Sequence, residues 1–323
     1  MTTFKQYDFL NRLTSILSSN STLGVFDSHG YSYNSANQRT AATNVDNSTW
    51  NYQYDALGQV TSGVKNWGDG SLVAGEQFGY SFDNIGNRQT TTAGGDQWGA
   101  NPRYASYTAN NLNQYTSRTV PGGVDIVGSA TNTSTVTVND LPTYRKSNYY
   151  RVQLPITNAS AAIWQPATNL AVLNEGTNLV VMASNVGNVF LPQTPENFTY
   201  DADGNLTQDG RWTYAWDAEN RLVNMTSLST GPAGSLLKLD FSYDYRGRRV
   251  QKLVSTNNGS WVPEYTNCFA YVGWNLLATL NPSLGTLNSF LWGLDLSGSM
   301  QGAGAAVIHW PPLHLADFRG TFG

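Results

Sequence analysis

Few residues in this 323-residue chain are equipped for chemistry, and their spacing decides what each could do. The three histidines are His29, His309 and His314. His309 and His314 stand five apart beside Pro311 and Pro312, so the i, i+4 pair of a helical zinc site is not available. His29, in "DSHGYSYN", reads as a turn residue. No G-x-S-x-G elbow supplies a nucleophile. "GAGAA", from Gly302, lacks the further glycines of a dinucleotide loop and the lysine of a phosphate loop, and reads as a close-packed turn. Cys268 is the only cysteine, which excludes an internal disulfide and a thiolate metal site. The glutamates are Glu76, Glu175, Glu196, Glu219 and Glu264. Glycoside chemistry needs two carboxylates facing across a cleft; Glu219 instead sits in the loop "WDAEN". In "DADGNLTQD", Asp201, Asp203, Asn205 and Asp209 fall on alternate residues, as calcium ligands do. A calcium loop also wants Gly sixth and Glu twelfth, where this chain has Leu206 and Trp212. No catalytic, cofactor-binding or metal residue is assigned, and the aspartates are read as turn formers.

These aspartates belong to a repeat. An aromatic followed by Asp or Asn, with Gly or Asn four residues after the aromatic, occurs at Tyr7-Asp8 with Asn11 and Tyr33-Asn34 with Asn37. It recurs at Tyr54-Asp55 with Gly58, Phe82-Asp83 with Gly86, Tyr200-Asp201 with Gly204, Trp216-Asp217 with Asn220 and Tyr243-Asp244 with Gly247. Tyr107-Thr108 with Asn111 is read as an eighth copy. Asp and Asn favour the first position of a type I turn, and Gly and Asn best tolerate φ > 0. A type I turn followed by a left-handed residue is a three-residue hairpin loop with a bulge. Each copy therefore predicts a hairpin tip. "YSYN", "YQYD", "YSFD", "FTYD", "YAWD" and "FSYD" place aromatics two apart, on one face of a strand. One hairpin alone is marginal, so neighbours must stack to cover the aromatic rows. Arg12, Arg88, Arg221 and Arg248 lie by the tips, placed to pair with tip aspartates or stay solvated.

Composition agrees with strands and turns: charged residues are 12%, aromatics 12%, and there are 31 glycines. The net charge of −4, without a basic run, gives no electrostatic case for nucleic acid. No apolar run reaches the roughly 20 residues of a membrane span. "MTTFKQYDFLNRL" lacks the basic and apolar regions of a signal peptide.

The irregularly repeated YD dipeptide, with "FSYDYRGRRVQKLV", "YVGWNLLATL" and "FLWGLDLSGSMQGAG", resembles the Rhs/YD-repeat family and its Rhs-associated core. The resemblance covers about residues 4–116 and 197–304. It implies a β-ribbon coiled into a hollow shell. In bacterial toxin complexes and polymorphic toxins such a shell encloses a C-terminal toxic domain; in animals, related shells occur in adhesion proteins. The partners it implies are the rest of the shell and an enclosed polypeptide, outside the cell or at its surface. After Gly304 the chain departs from the family, and no Asp-Pro pair occurs, so self-cleavage is not carried over. The chain reads as a shell fragment, or the product of a truncated or frameshifted gene.

Between Ser117 and Glu196 the aromatic-Asp pattern stops. "TSTVTVND", "YYRVQLPITN" and "TNLVVMAS" predict short strands of an inserted β-sandwich. The resulting expectation is an all-β chain. It comprises a YD-hairpin ribbon over 1–116, an inserted small β-domain over 117–196, YD repeats and core over 197–304, and an atypical, poorly ordered tail over 305–323. Its expected function is structural: an Rhs/YD-repeat shell segment without chemistry of its own. One alternative is a cell-surface carbohydrate-binding adhesin, with Trp164 and Tyr144 as a sugar platform. Another is a β-rich glycoside hydrolase. Unpaired ribbon edges predict self-association.

Overall fold

A computed structural model describes residues 2–174, 176, 180–292 and 307–310. The "GAGAA" turn, Glu175, His314 and most of the 305–323 tail lie outside the described residues. Every regular element among the described residues is a strand. The chain divides into two compact units, residues 1–197 and 198–323.

In the first unit the chain runs up and down through β1 (Thr2–Tyr7), β2 (Leu13–Asn20), β3 (Gly24–Tyr33), β4 (Arg39–Asn44), β5 (Thr49–Tyr54), β6 (Val60–Asn66), β7 (Leu72–Phe82), β8 (Arg88–Gly94), β9 (Pro102–Ala109) and β10 (Tyr115–Arg118). Each strand pairs with the one before it. There follow β11 (Gly123–Ser129), β12 (Thr135–Val138), β13 (Leu141–Pro142), β14 (Tyr144–Lys146), β15 (Tyr149–Pro155), β16 (Ile163–Asn174), β17 (Val180–Leu191) and β18 (Glu196–Asn197). β18 returns to the ribbon and pairs with β10, Ser117 opposite Asn197 and Arg118 opposite Glu196.

The strands between them form two small sheets, β11-β15-β14 and β13-β12-β16-β17. Their inner faces meet in a core of Val136, Val138, Tyr150, Leu154 and Ala167, with Val124, Ile126, Val152 and Ala171 packed against it. Alternate apolar residues of β11 (Val124, Ile126), β12 (Val136, Val138) and β15 (Tyr150, Val152, Leu154) put one side of these strands toward this core. This insert is the small β-sandwich expected from the sequence. Among the described residues, eight of the thirteen buried hydrophobics lie in it, between Val120 and Leu191. The ribbon has few because it is one sheet thick.

The second unit repeats the meander: β19 (Thr199–Tyr200), β20 (Leu206–Gln208), β21 (Trp212–Trp216), β22 (Leu222–Ser227), β23 (Leu237–Tyr243), β24 (Arg249–Asn257), β25 (Trp261–Val272), β26 (Asn275–Leu280), β27 (Thr286–Trp292) and β28 (Val307–Trp310). His309 lies in β28, opposite Phe290.

In both units the register slips at the aromatic that precedes a tip. It does so at Tyr7, Tyr33, Tyr54, Phe82, Tyr200, Trp216 and Tyr243, and again at Tyr271. One extra residue on the returning strand leaves a carbonyl outside the ladder and sharpens the twist. Two local readings are corrected. His29 is not in a turn; it lies inside β3, opposite Ile16 and Asn44, with its ring 6.5 Å from Tyr31. Thr108 likewise does not open a tip. β9 continues to Ala109, and the loop runs from Asn110 to Asn113, where φ is +61°.

Candidate functional site

The ribbon connections from odd to even strands carry the repeat and share one hydrogen-bond plan. At Tyr54-Asp55, the Asp55 N–H donates to Gln59 O and the Gly58 N–H to Asp55 O. One carboxylate oxygen of Asp55 accepts the N–H groups of Leu57 and Gln59, both at 2.9 Å. Asp83 does the same for Ile85 and Asn87 at 3.0 and 2.8 Å. Asp201 serves Asp203 and Asn205, Asp217 serves Glu219 and Arg221, and Asp244 serves Arg246 and Arg248. Gly58, Gly86, Gly204, Asn220 and Gly247 stand at φ of +85°, +94°, +85°, +56° and +76°. The Asx side chain satisfies two loop amides that would otherwise face only water, which is why these positions take Asp or Asn.

The second carboxylate oxygen is bound by the residue that closes the loop. Arg12 holds Asp8 at 2.6 Å, Arg221 holds Asp217 at 2.7 Å and Arg248 holds Asp244 at 2.8 Å. Asn87 and Asn205 do this with amides at 2.9 and 3.1 Å. Several of these groups also reach the following tip. Arg12 donates to Asn34 O and to Asn37 Oδ1, Asn87 to Asn113, Asn205 to Asn220, and Arg248 to Gly273 O. The guanidiniums of Arg12, Arg221 and Arg248 lie 5.0, 5.3 and 5.1 Å over the rings of Tyr33, Tyr243 and Tyr271, each the aromatic of the next tip. Arg88 differs: it lies over Tyr80 and Tyr107 and makes no ion pair to a tip aspartate.

The aromatic has its own task. The hydroxyls of Tyr33, Tyr54, Tyr243 and Tyr271 donate to the carbonyls of Leu13, Arg39, Leu222 and Arg249, at 2.7 to 3.0 Å. The Trp216 indole N–H donates to Leu206 O at 2.8 Å. Each acceptor is the first residue beyond the preceding tip. The repeat therefore joins neighbouring hairpins side by side. The Asx shapes its own loop, and the aromatic ties that hairpin to the one before. Sequence reasoning missed this second half, because each partner lies 10 to 22 residues away.

These bonds act on the carboxylates. The Arg12 backbone N–H holds Asp8 below the ordinary carboxylate range, as the Arg221 backbone N–H does for Asp217 and the Asn87 side chain for Asp83. For Asp201 and Asp244 lost hydration opposes the shift, and hydrogen bonds from Asn205 and Arg248 outweigh it. Among the described residues no group of three or more His, Cys, Asp or Glu is placed to hold a metal ion. No helix there is long and apolar enough to cross a membrane.

At the opposite end of the first ribbon sits the insert. Asp125 of β11 is held by Arg103 of β9 and by Arg151 of β15, whose Nε lies 2.7 Å away. Both Asp125 and Arg151 are buried, at 9% side-chain exposure. The Tyr149 hydroxyl donates to Ala74 O at 2.5 Å, and Lys146 reaches Asp69 at 2.6 Å. Burial pushes the Tyr149 hydroxyl well above its usual value, and the Lys146 ammonium holds Asp69 well below its own. At Gly94 a Cβ would strike Asp125 and Arg103, so only glycine admits this contact. Arg118 closes the junction on the buried Glu196 at 2.5 Å.

No protein-family model matches the chain. Over 89 residues, 27% of its length, the chain is 35% identical to the tRNA3(Ser)-specific nuclease WapA of Bacillus spizizenii, of which this covers 4%. It is 34% identical over 87 residues to the tRNA nuclease WapA of Bacillus subtilis strain 168, again covering 4% of that protein. The chain thus spans a small fraction of the curated relatives it matches. A solved structure similar to it is the crystal structure of TcdB2-TccC3. The TM-score is 0.39 and the identity 13%, over 90% of this chain and 14% of that one.

Proposed function

We propose that this chain is a wall segment of an Rhs/YD-repeat shell that encloses or presents another polypeptide, without chemistry of its own. The observation that carries the reading is the tip-to-tip bonding. It makes a ribbon one sheet thick continuous from hairpin to hairpin by polar contacts at the tips, with little buried core. Such a ribbon covers area rather than filling volume, as a wall must. The local likeness to the WapA proteins supports the same reading. On this reading residues 1–116 and 197–304 are wall, 117–196 is an inserted domain buttressing one ribbon end, and β28, paired with β27, carries the wall into the 305–323 segment that the sequence suggested was a poorly ordered tail. The mechanism is confinement: the wall separates an enclosed chain from the cell that made it. The assembled protein acts outside that cell or at its surface.

Limited proteolysis of the natural protein that contains this chain tests the proposal. Its non-repeat polypeptide is expected to survive while the wall is intact and to be cleaved once acid or denaturant opens it. Cleavage at equal rates before and after opening would refute confinement.

A further inference from the structure

β17 ends its sheet. The order is β13-β12-β16-β17, and among the described residues no strand pairs with its far side. Which main-chain groups face that side follows from β16. The Asn139 N–H donates to Thr168 O at 3.0 Å, and the Thr168 N–H donates to Asn139 Oδ1 at 2.8 Å. The Asn139 side-chain amide donates to Pro166 O at 2.7 Å, and Pro166 has no N–H to give. Thr168 and Pro166 therefore turn their polar groups away from β17. Their cross-strand partners are Val186 and Asn188. Both residues of a non-hydrogen-bonded antiparallel pair point outward, so Val186 and Asn188 turn their own groups away from β16. The period of two adds Ser184 and Met182. These four alternate residues present their N–H and C=O groups at the open edge.

Proteins blunt such edges with charge, proline, bulges or shortness. The other sheet edges here follow that rule. β1 carries Lys5, β11 Asp125, β13 Pro142 and β14 Arg145 and Lys146, while β18 and β19 have two residues each and β28 has four. β17 has twelve residues, no charge, no proline and an unbroken register with β16. It also overhangs the sandwich. Ala167 of β16 is buried and Ala171 packs on the core, yet their partners Gly187 and Ala183 are exposed. A Cβ on Gly187 would meet nothing within 4 Å. On the other face Met182 and Val186 are 68% and 65% exposed. Both faces beside the edge have room for the side chains of a further strand. We infer that β17 docks an extended, uncharged segment of another polypeptide, which adds to this four-stranded sheet as its next strand. The open ladder selects that occupant, because only an extended chain offers a donor and an acceptor at every second residue to meet it. Alternate apolar residues of the guest cover Met182 and Val186. β17 offers no counter-charge, so a charged guest would be desolvated without compensation. The inference stands whether or not the ribbon encloses anything.

The probe is a short end-blocked peptide alternating valine and threonine between terminal lysines, titrated into the whole chain. Amide exchange read by NMR is expected to slow about tenfold or more at Met182, Ser184, Val186 and Asn188, and less at Ala183, Asn185 and Gly187, whose amides already face β16. Val186→Pro removes an outward N–H and no bond to β16, so it is expected to abolish peptide binding with unchanged melting. The same peptide N-methylated at every residue is expected not to bind, and it tests the native chain should the proline variant fail to fold. No binding up to about 1 mM, equal binding of the methylated peptide, or protection without the alternation would overturn the inference. So would self-association of the chain without peptide that Val186→Pro abolishes, since the occupant would then be a second copy.

Discussion

Gly247 stands at φ +76°, and a Cβ there would meet nothing closer than Arg221 Cδ at 4.0 Å. Space is available, so the cost of a side chain falls on the backbone alone. Gly247→Val is expected to destabilise the protein by more than about 1 kcal/mol, since a β-branched residue is forced into the left-handed region. Equal chemical-denaturation midpoints for variant and parent would contradict the turn assigned here. Leu284 gives the reverse case. It occupies φ +62° in the loop from Asn281, a place that Asn or Gly fills elsewhere in the ribbon. Leu284→Asn is expected to raise stability by about 0.5–1 kcal/mol, read as a higher melting temperature; a lower one would refute the strain. The loop chemistry was legible because Asp, Asn and Gly act on their own backbone. Tyr107 shows how that reading fails. It lies four residues before Asn111 by coincidence, while the loop itself begins at Asn110 after Ala109, with no aromatic beside it.

Between elements, two sets of charges tie hairpins and sheets together. The tip carboxylates of Asp8, Asp83 and Asp217 are held below their ordinary value near 3.8 in the folded chain. Their stabilisation is therefore complete above that value and is lost as the pH falls through the lowered ones. Melting temperature is expected to hold from neutral pH down to about 4 and then to drop; a profile flat to about pH 2 would contradict the tip bonding. The Asp125 cluster is a different kind of joint. Removing its one carboxylate leaves Arg103 and Arg151 without their shared anion in a buried contact. Asp125→Ala is expected to cost roughly 3–5 kcal/mol and to speed hydrogen exchange in β11 and β15. Unchanged exchange would mean that the sandwich is held by its own core alone. The presence of this sandwich was readable where the aromatic-Asp spacing lapsed and β-branched runs began. Its pairing was not, because β12 meets β16 across more than thirty residues, and Asp125 meets Arg103 through a contact that no local pattern records.

Among the described residues of the chain, hydrophobic burial is uneven. The insert holds most of the buried apolar residues, while the ribbons rely on ladders, tip bonds and aromatic rows. A sheet one layer thick with half-buried faces is poorly suited to stand as a globule and well suited to line or bound a space. The repeat announced that sheet because its spacing recurs in the sequence. What a shell built of such a sheet would enclose is not written in any single hairpin. Electron cryomicroscopy of the natural protein that contains this chain tests the central claim most directly. The account predicts a ribbon closed around an interior that holds additional polypeptide density. A ribbon with both faces open to solvent and no enclosed density would contradict it.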